Sequence, residues 1–537
     1  MKKIMLLLLT LGLAMTLFCQ QSKEEALDAL MQAYHKVNKF NGSVLVAHKG
    51  KVLLQKGYGL KNAGSGLLND SSSIYSIYSI TKPFTATLIL QLVEQGKLSL
   101  SDPLSKFYPS FPKGDSITVE HLLTHTSGLY DYTRGNDMKD QTETSFIEFL
   151  GKQPLDFAPG TNWSYSNSGY WLLGFIIEKL SGLSYEEAMG RYLFKPLKMQ
   201  QSGFHFKHLA DPNKTIGYAV FSDHIKKDAI VYDPPAPYAA GAIYSTVGDL
   251  YKFHRALQAG SLLKKETLQK AYTPYKNNYG YGWITSTFEG HLMVGHSGGA
   301  AGYRSNLVSI PEEDICIILL NNHENAVVDK ITERVLCILF DKPYKVPVSK
   351  ELPVELLKQY AGAYNAKPSF TFYVTVEDGS LAVQVSKNPK TSLLAEKENL
   401  FYAEEPNAYL EFIKDENGAY NALVMQQRDI KLSARRIFPI WGITGTATGK
   451  GWNDSIPDLP FREESRGIWS LKNLSLKKGL LVFRLNNDWG YHYGDNELDG
   501  TLDMYGKDIA VEEGVYDIRL DLREPLLPTY TITSRAR

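Results

Sequence analysis

Neither sign of charge is in excess. Lys and Arg number 58, and so do Asp and Glu, out of 537 residues. A neutral chain offers no global basic field for nucleic acid, so no nucleic-acid partner is expected. Cysteine is scarce too. Three Cys cannot build a disulfide framework. Cys316, inside Ile315-Cys316-Ile317-Ile318-Leu319-Leu320, and Cys337, in a helical stretch, read as small buried hydrophobes. After residue 18 no apolar run is long enough for a transmembrane span. Internal repeats and low-complexity tracts are absent. With 43% hydrophobic and 22% charged residues, disordered and collagen-like classes are excluded.

The first 20 residues read as a signal peptide. Lys2 and Lys3 precede a Leu-rich stretch from Ile4 to Phe18 and a polar exit at Cys19-Gln20-Gln21-Ser22. The expected location is outside the cytoplasm, periplasmic or secreted. Lipid anchoring at Cys19 is the weaker alternative, because bulky Phe18 stands where that processing prefers a small residue.

Residues 22–345 alternate short apolar strands with helices. Gly42–Ala47 and Lys51–Gln55 read as strands, and so do His291–Val294 and Ile315–Leu320. Phe84–Gln95 reads as an amphipathic helix with Leu88, Ile89, Leu92 and Val93 on one face, and Tyr170–Leu180 as another. A Pro-punctuated linker, Lys342 to Pro353, leads to residues 352–438. There Glu377-Asp378-Gly379 and Asn417-Gly418 mark hairpins of an antiparallel β domain. Residues 441–537 are again β-rich, with Gly clusters and aromatic runs.

Ser79-Ile80-Thr81-Lys82 puts a Lys three residues after a Ser at the head of a helix, where the two share a face. A serine needs such a neighbour to become a nucleophile. The spelling recurs at Ser110, Ser261 and Ser475, but only Ser79 joins an extended stretch to a clear helix. Downstream come Tyr165-Ser166-Asn167 and then His296-Ser297-Gly298-Gly299 after a strand. Tyr275-Lys276-Asn277 and His48-Lys49-Gly50 repeat the second and third spellings. The ordered triple, each member in its own structural context, carries the signal. His125 reads as a residue satisfying a turn.

These three elements resemble the signature of the serine β-lactamase and penicillin-binding protein superfamily, in its class C β-lactamase and D-peptidase branch. Val119 to Leu129 and Gly241 to Thr246 are similar to it as well. The resemblance covers about residues 30–340. It implies an α/β fold: a β-lactamase/transpeptidase-like domain with an antiparallel sheet flanked by helices plus an all-α subdomain, followed by two small all-β domains. It implies a serine hydrolase acting through an acyl-enzyme, without cofactor or metal, on a small-molecule or peptide substrate such as a cell-wall peptide. Ser79 would be the nucleophile, Lys82 would hold its proton network, and Tyr165 would act as general base and then acid. Asn167 would bind the substrate amide. His296 would orient Tyr165 or the substrate carboxylate, and Gly298 would let the strand approach the substrate. The N–H groups of Ser79 and Gly299 would form the oxyanion hole.

Independently of that likeness, a Lys82 cation beside Tyr165 would favour the phenolate. A His at 296 in place of Lys is expected to be mostly neutral at pH 7 and to charge below about pH 6. By the resemblance, members with His at this place look like D-peptidases, carboxypeptidases or esterases, and a class C-type β-lactamase is the alternative. The rival of another class is a non-catalytic penicillin- or glycan-binding sensor. Residues 352–438 resemble the lipocalin-like domain often appended to this branch. Residues 441–537 resemble the modules of starch-utilisation outer-membrane lipoproteins, which implies a glucan partner held by Trp441, Trp452 and Trp489.

Overall fold

The computed structural model describes residues 22–135, 142–230, 237–324, 327–367, 370–385, 388–438, 440–453, 455–465 and 467–535. The signal segment and Cys19 lie outside the described residues. The chain divides into two compact units, one up to Val346 and one from Pro347.

In the first unit, helix α1 (Lys23–Lys36) starts at a capping box between Ser22 and Glu25. Six strands follow along the chain: β1 (Gly42–His48), β2 (Lys51–Tyr58), β3 (Ile284–Phe288), β4 (His291–Ala300), β5 (Tyr303–Ile310) and β6 (Ile315–Asn321). They form one antiparallel sheet in the order β2-β1-β6-β5-β4-β3. Both faces are covered, which is why β6 is an unbroken apolar run. Val44, Val46, Ile317 and Leu319 meet Leu27, Leu30 and Met31 of α1 on one face, joined by Ile331 and Val335 of the C-terminal helix Val328–Leu339. Leu45, Ala47, Cys316, Ile318 and Leu320 point into a second, larger core on the other. Each such aliphatic contributes roughly 1.5–3 kcal/mol on burial.

That second core encloses α2 (Thr81–Glu94) and α3 (Asn167–Ser181). Here the structure departs from the expected amphipathic helix. Residues Thr81 to Leu90 of α2 are all buried. Phe84 stacks on Phe253 at 3.8 Å between ring centres and meets Phe194 edge-on. The hydroxyl of Thr85 donates to Ala239 O and that of Thr87 to Pro83 O, so no solvent face is needed. Both helices begin three residues before the expected starts, which places Lys82 and Asn167 in first turns.

In the second unit, eight strands from Gly362–Lys367 to Ile430–Ile437 close into an up-and-down barrel. The turn at Asp378 and Gly379 has both residues at positive φ, 44° and 74°, as a two-residue hairpin requires. Tyr364, Phe372, Phe401 and Phe412 fill the interior, and the helix Val354–Tyr360 inserts Leu357 and Tyr360. The barrel is therefore a packed core rather than a ligand cavity. The last module is a two-sheet sandwich. Its core holds Trp441, Phe461, Trp469, Phe483, Tyr491 and Tyr493, and the outward-facing Ala363 and Tyr373 of the barrel join it.

Candidate active site

The site assembles where α2 begins. Tyr78 takes positive φ, 44°, turning the chain sharply into the 3-10 turn Tyr78–Ile80 that carries Ser79. The Ile77 N–H donates to Ile243 O at 3.0 Å. Its carbonyl accepts from Ser305 Oγ at 3.0 Å, and the same hydroxyl reaches Gly298 O at 3.2 Å. The turn is thereby stitched to strand β4. A Cβ on Gly298 would stand 2.1 Å from Ile77 O, so only glycine fits this approach.

Lys82 is fully buried. Its Nζ lies 3.0 Å from Ser79 Oγ, 2.8 Å from Asn167 Oδ1 and 2.9 Å from Ala240 O. Burial brings the ammonium down to about 7, with Asp131 opposing the shift. The two carbonyl oxygens can only accept. A neutral amine therefore spends its two N–H bonds on them and turns its lone pair to the Ser79 hydroxyl.

Tyr165 packs beside this pair. Lys82 Nζ is 4.8 Å from its ring centre, and its hydroxyl pairs with Ser79. The expectation that Lys82 favours the phenolate is overturned. Burial holds the Tyr165 phenol well above its usual value against the lowering hydrogen bond of Ser79. A half-neutral, buried lysine is too weak a cation to reverse that.

The expected role of His296 is corrected as well. It is buried at the centre of a hydrogen-bonded set, with Nδ1 2.6 Å from Ser297 O and Nε2 2.9 Å from the Tyr279 hydroxyl. A carbonyl can only accept, so Nδ1 carries the proton and Tyr279 donates to Nε2. Burial and the nearby Lys82 bring His296 down to about 3. It stays neutral where a free imidazole would charge, and neither nitrogen is left for a substrate carboxylate. Its ring lies 6.3 Å from that of Tyr165, a packing contact.

Asn167 is held by two protein partners, which leave one N–H of its Nδ2 for the expected substrate amide. Oδ1 accepts from Lys82, and Nδ2 donates to Asp131 Oδ2 at 3.3 Å. Gly299 is the last residue but one of β4, paired with Arg304 and exposed, and β4 runs beside the Ser79 turn.

Three contributors were missed or undervalued by sequence reasoning. His125 does more than satisfy a turn. At φ 59° it accepts the Ser166 N–H on Nδ1 at 3.1 Å and the Ser164 N–H on its carbonyl at 3.0 Å. It thus holds both neighbours of Tyr165, with its ring 4.3 Å from the phenol. Tyr279, one of 33 tyrosines, carries no sequence signal. It lies two residues after the Tyr275-Lys276-Asn277 decoy, whose Lys276 Nζ donates to Gly160 O and Thr161 O and ties this turn to the Tyr165 loop. Asp131 is the third.

The other Ser-x-x-Lys spellings stay apart. Ser110 is exposed, Ser261 donates to Ala256 O, and Ser475 sits in a strand of the sandwich. Among the described residues no cluster of three His, Cys, Asp or Glu could hold a metal ion.

Of the expected glucan contacts, Trp441 is core. It is 5% exposed and stacks on Tyr493 at 5.5 Å. Trp452 is 38% exposed, 5.8 Å from Trp489. The Arg484 guanidinium covers Trp489 at 4.3 Å and is itself locked to Asp458.

A serine, a buried lysine and a tyrosine gathered between an antiparallel sheet and a helical core define a serine acyl-transfer enzyme of the β-lactamase and transpeptidase fold. The Beta-lactamase family model matches residues 27–338, and the chain belongs to that family, the serine hydrolases related to β-lactamases and penicillin-binding proteins. A domain of unknown function, DUF3471, matches residues 346–437. Penicillin-binding protein 4* of Bacillus subtilis is 27% identical over 441 residues, 76% of this chain and 97% of that protein. The putative penicillin-binding protein PbpX of the same organism is 31% identical over 312 residues, 57% of this chain and 77% of that protein. An octameric penicillin-binding protein homologue from Pyrococcus abyssi superposes with a TM-score of 0.55 at 30% identity, covering 76% of this chain and 99% of its own.

Proposed function

We propose that this chain is an exported amidase or esterase of the D-peptidase type. It hydrolyses a substrate with no carboxylate beside the scissile bond, through an acyl-Ser79 intermediate. The carrying observation is the closed hydrogen-bond set of Lys82, with Ser79 Oγ as its third partner at 3.0 Å. The neutral amine accepts the Ser79 proton as Oγ attacks the carbonyl carbon. The N–H groups of Ser79 and Gly299 receive the oxyanion. Tyr165, kept protonated by burial, gives its proton to the leaving nitrogen or oxygen as that bond breaks, and regains one from Lys82. Water then releases the acyl group by the reverse relay.

The neutral, fully engaged His296 supports the choice among substrates, since it offers no cation to the carboxylate of a penicillin or a C-terminal D-amino acid. Export rests on the leader-like first 20 residues. Among the described residues no helix is long and apolar enough to cross a membrane. A glucan partner is retained for the last module on the exposed Trp452 beside Trp489.

The test is intact-protein mass spectrometry and turnover with p-nitrophenyl esters, D-amino-acid amides, D-Ala-D-Ala peptides and penicillins, in wild type and Ser79→Ala. Ester or amide turnover that Ser79→Ala abolishes supports the reading. Penicillin turnover above ester turnover would make the chain a β-lactamase, and a persistent penicillin adduct with no turnover would make it a sensor.

A further inference from the structure

Asp131 is 7% exposed and is linked to Lys82 through the Asn167 amide. Ser168 fixes it there. The Ser168 hydroxyl donates to Tyr130 O at 2.7 Å and accepts the Tyr132 N–H at 3.0 Å, clamping the backbone on both sides of Asp131 to the first turn of α3. One carboxylate oxygen accepts the Thr133 N–H at 3.1 Å, and the other accepts from Asn167 Nδ2. An amide with its oxygen on Lys82 and its nitrogen on a carboxylate has one satisfactory orientation. Flipped, it would set N–H against N–H and oxygen against oxygen.

We propose that Asp131 is a positioning residue for Lys82, acting through Asn167: it fixes the facing of the Asn167 amide and supplies the negative charge that offsets burial of the ammonium. This rests on the reading of Lys82 as the base of the reaction. The other titratable groups around Lys82 cannot supply that charge. Tyr165 and Tyr170, with rings 4.8 and 5.4 Å from Nζ, are held protonated by burial. His125 and His296 are held neutral, and the segment Tyr238–Gly241 presents the Ala240 carbonyl. An opposite charge nearby favours the charged form. Without Asp131, Lys82 should lose its proton at lower pH.

The test compares wild type, Asp131→Asn, Asp131→Ser and Asp131→Glu as full-length protein. The serine keeps a side-chain acceptor for Thr133 should the asparagine variant not fold. Lysine 13Cε-labelled protein is titrated by NMR from pH 5 to 10, with Lys82 assigned through Lys82→Arg. The rate of Ser79 acylation is followed over the same range. The Lys82 midpoint and the acid limb of acylation should fall together by about one pH unit in the asparagine and serine variants. Both should stay within about a third of that shift in the glutamate variant. An unchanged or raised Lys82 midpoint in both neutral variants overturns the proposal. If wild type acylates with no donor, the functional reading fails, while the Lys82 titration still decides the role of Asp131.

Discussion

Replacing Gly298 by Ala tests the geometry that brings the nucleophile to the strand. The new Cβ would stand 2.1 Å from Ile77 O and 2.6 Å from Ser305 Oγ. Non-bonded heavy atoms settle near about 3.5 Å, so about 1.4 Å of displacement is needed at Ile77, two residues before Ser79. Backbone lies on both sides of the clash, so a side-chain rotation cannot relieve it. The shift must open the strand or move the Ser79 turn. Either one breaks the shared Ser305 hydrogen bonds to Ile77 O and Gly298 O. Overpacking of this kind costs about 1–3 kcal/mol of stability, and the lost bonds about 1 kcal/mol more. A misplacement near 1 Å lowers a positioned reaction by about 100-fold. Gly299→Ala is the internal control for crowding. There the nearest atoms are the flexible Arg304 side chain, from 3.2 Å outward. The measurements are the acylation rate of Ser79 with the donor wild type uses fastest, and the thermal unfolding midpoint. Gly298→Ala should lower both, and Gly299→Ala should leave the midpoint within about 2 °C. A Gly298→Ala rate within threefold of wild type would refute the argument that this approach sets the Ser79 position.

Lys82, brought down to about 7 by burial, should give kcat/KM an acid limb near pH 7, with activity rising as the amine loses its proton. Lys82→Arg, which cannot deprotonate, should abolish acylation across pH 5–9, and a wild-type limb below pH 5 would exclude Lys82 as the base. The buried imidazoles of His254, His296 and His323 are lowered to about 4, 3 and 3. The unfolded chain takes protons on them below about 6.5 while the folded chain does not, so their contribution is complete above that value and is lost as pH falls. By pH 5 each costs about 2 kcal/mol, and urea midpoints unchanged between pH 7.5 and 5 would contradict this. In the sandwich, Trp441→Ala should destabilise by about 3–5 kcal/mol as a core deletion. Trp452→Ala should leave stability nearly unchanged and abolish retardation of the full chain on α-glucan gels. Equal retardation of wild type and Trp452→Ala would remove Trp452 as the sugar contact.

The sheet was legible because its pattern is strong. Ile315 to Leu320 is apolar without a break, as a strand covered on both faces must be. The hairpins of the barrel announce themselves at Asp378-Gly379 and Asn417-Gly418, where Asp378, Gly379 and Gly418 take positive φ. Helix α2 was misread as amphipathic. Its Thr and Lys positions look like a solvent face, yet Thr85, Thr87 and Lys82 all find partners inside. Periodicity reports polarity and cannot say whether a polar group meets water or a carbonyl. For the same reason Trp441 and Trp452 looked alike. Trp441 lies on a strand against the core and Trp452 in a turn at the surface, and neither tryptophan's neighbours in sequence reveal that.

The active site divides along the same line. Ser79, Lys82, Tyr165 and His296 stand out in the sequence because each belongs to a short motif of distinctive chemistry, and the structure brings these separate motifs together. Their charges do not show in the sequence, because charge here is a property of the enclosure. Read alone, Lys82 is a cation and His296 a switch near neutral pH. Enclosed, Lys82 sits close to neutrality and His296 is fixed as a neutral acceptor for Tyr279. The groups responsible come from distant segments with no motif of their own: Ala240 on the short helix Tyr238–Gly241, Asp131 on a loop, Tyr279 beyond a decoy. One consequence separates the two readings directly. Were His296 the carboxylate contact, His296→Leu would weaken carboxylate substrates alone. If it serves Tyr279 and Ser297, His296→Leu leaves the Tyr279 hydroxyl short of a buried acceptor, at about 1–3 kcal/mol. Esters and carboxylate substrates should then lose rate in parallel, and a loss confined to carboxylate substrates would return His296 to the role the sequence suggested.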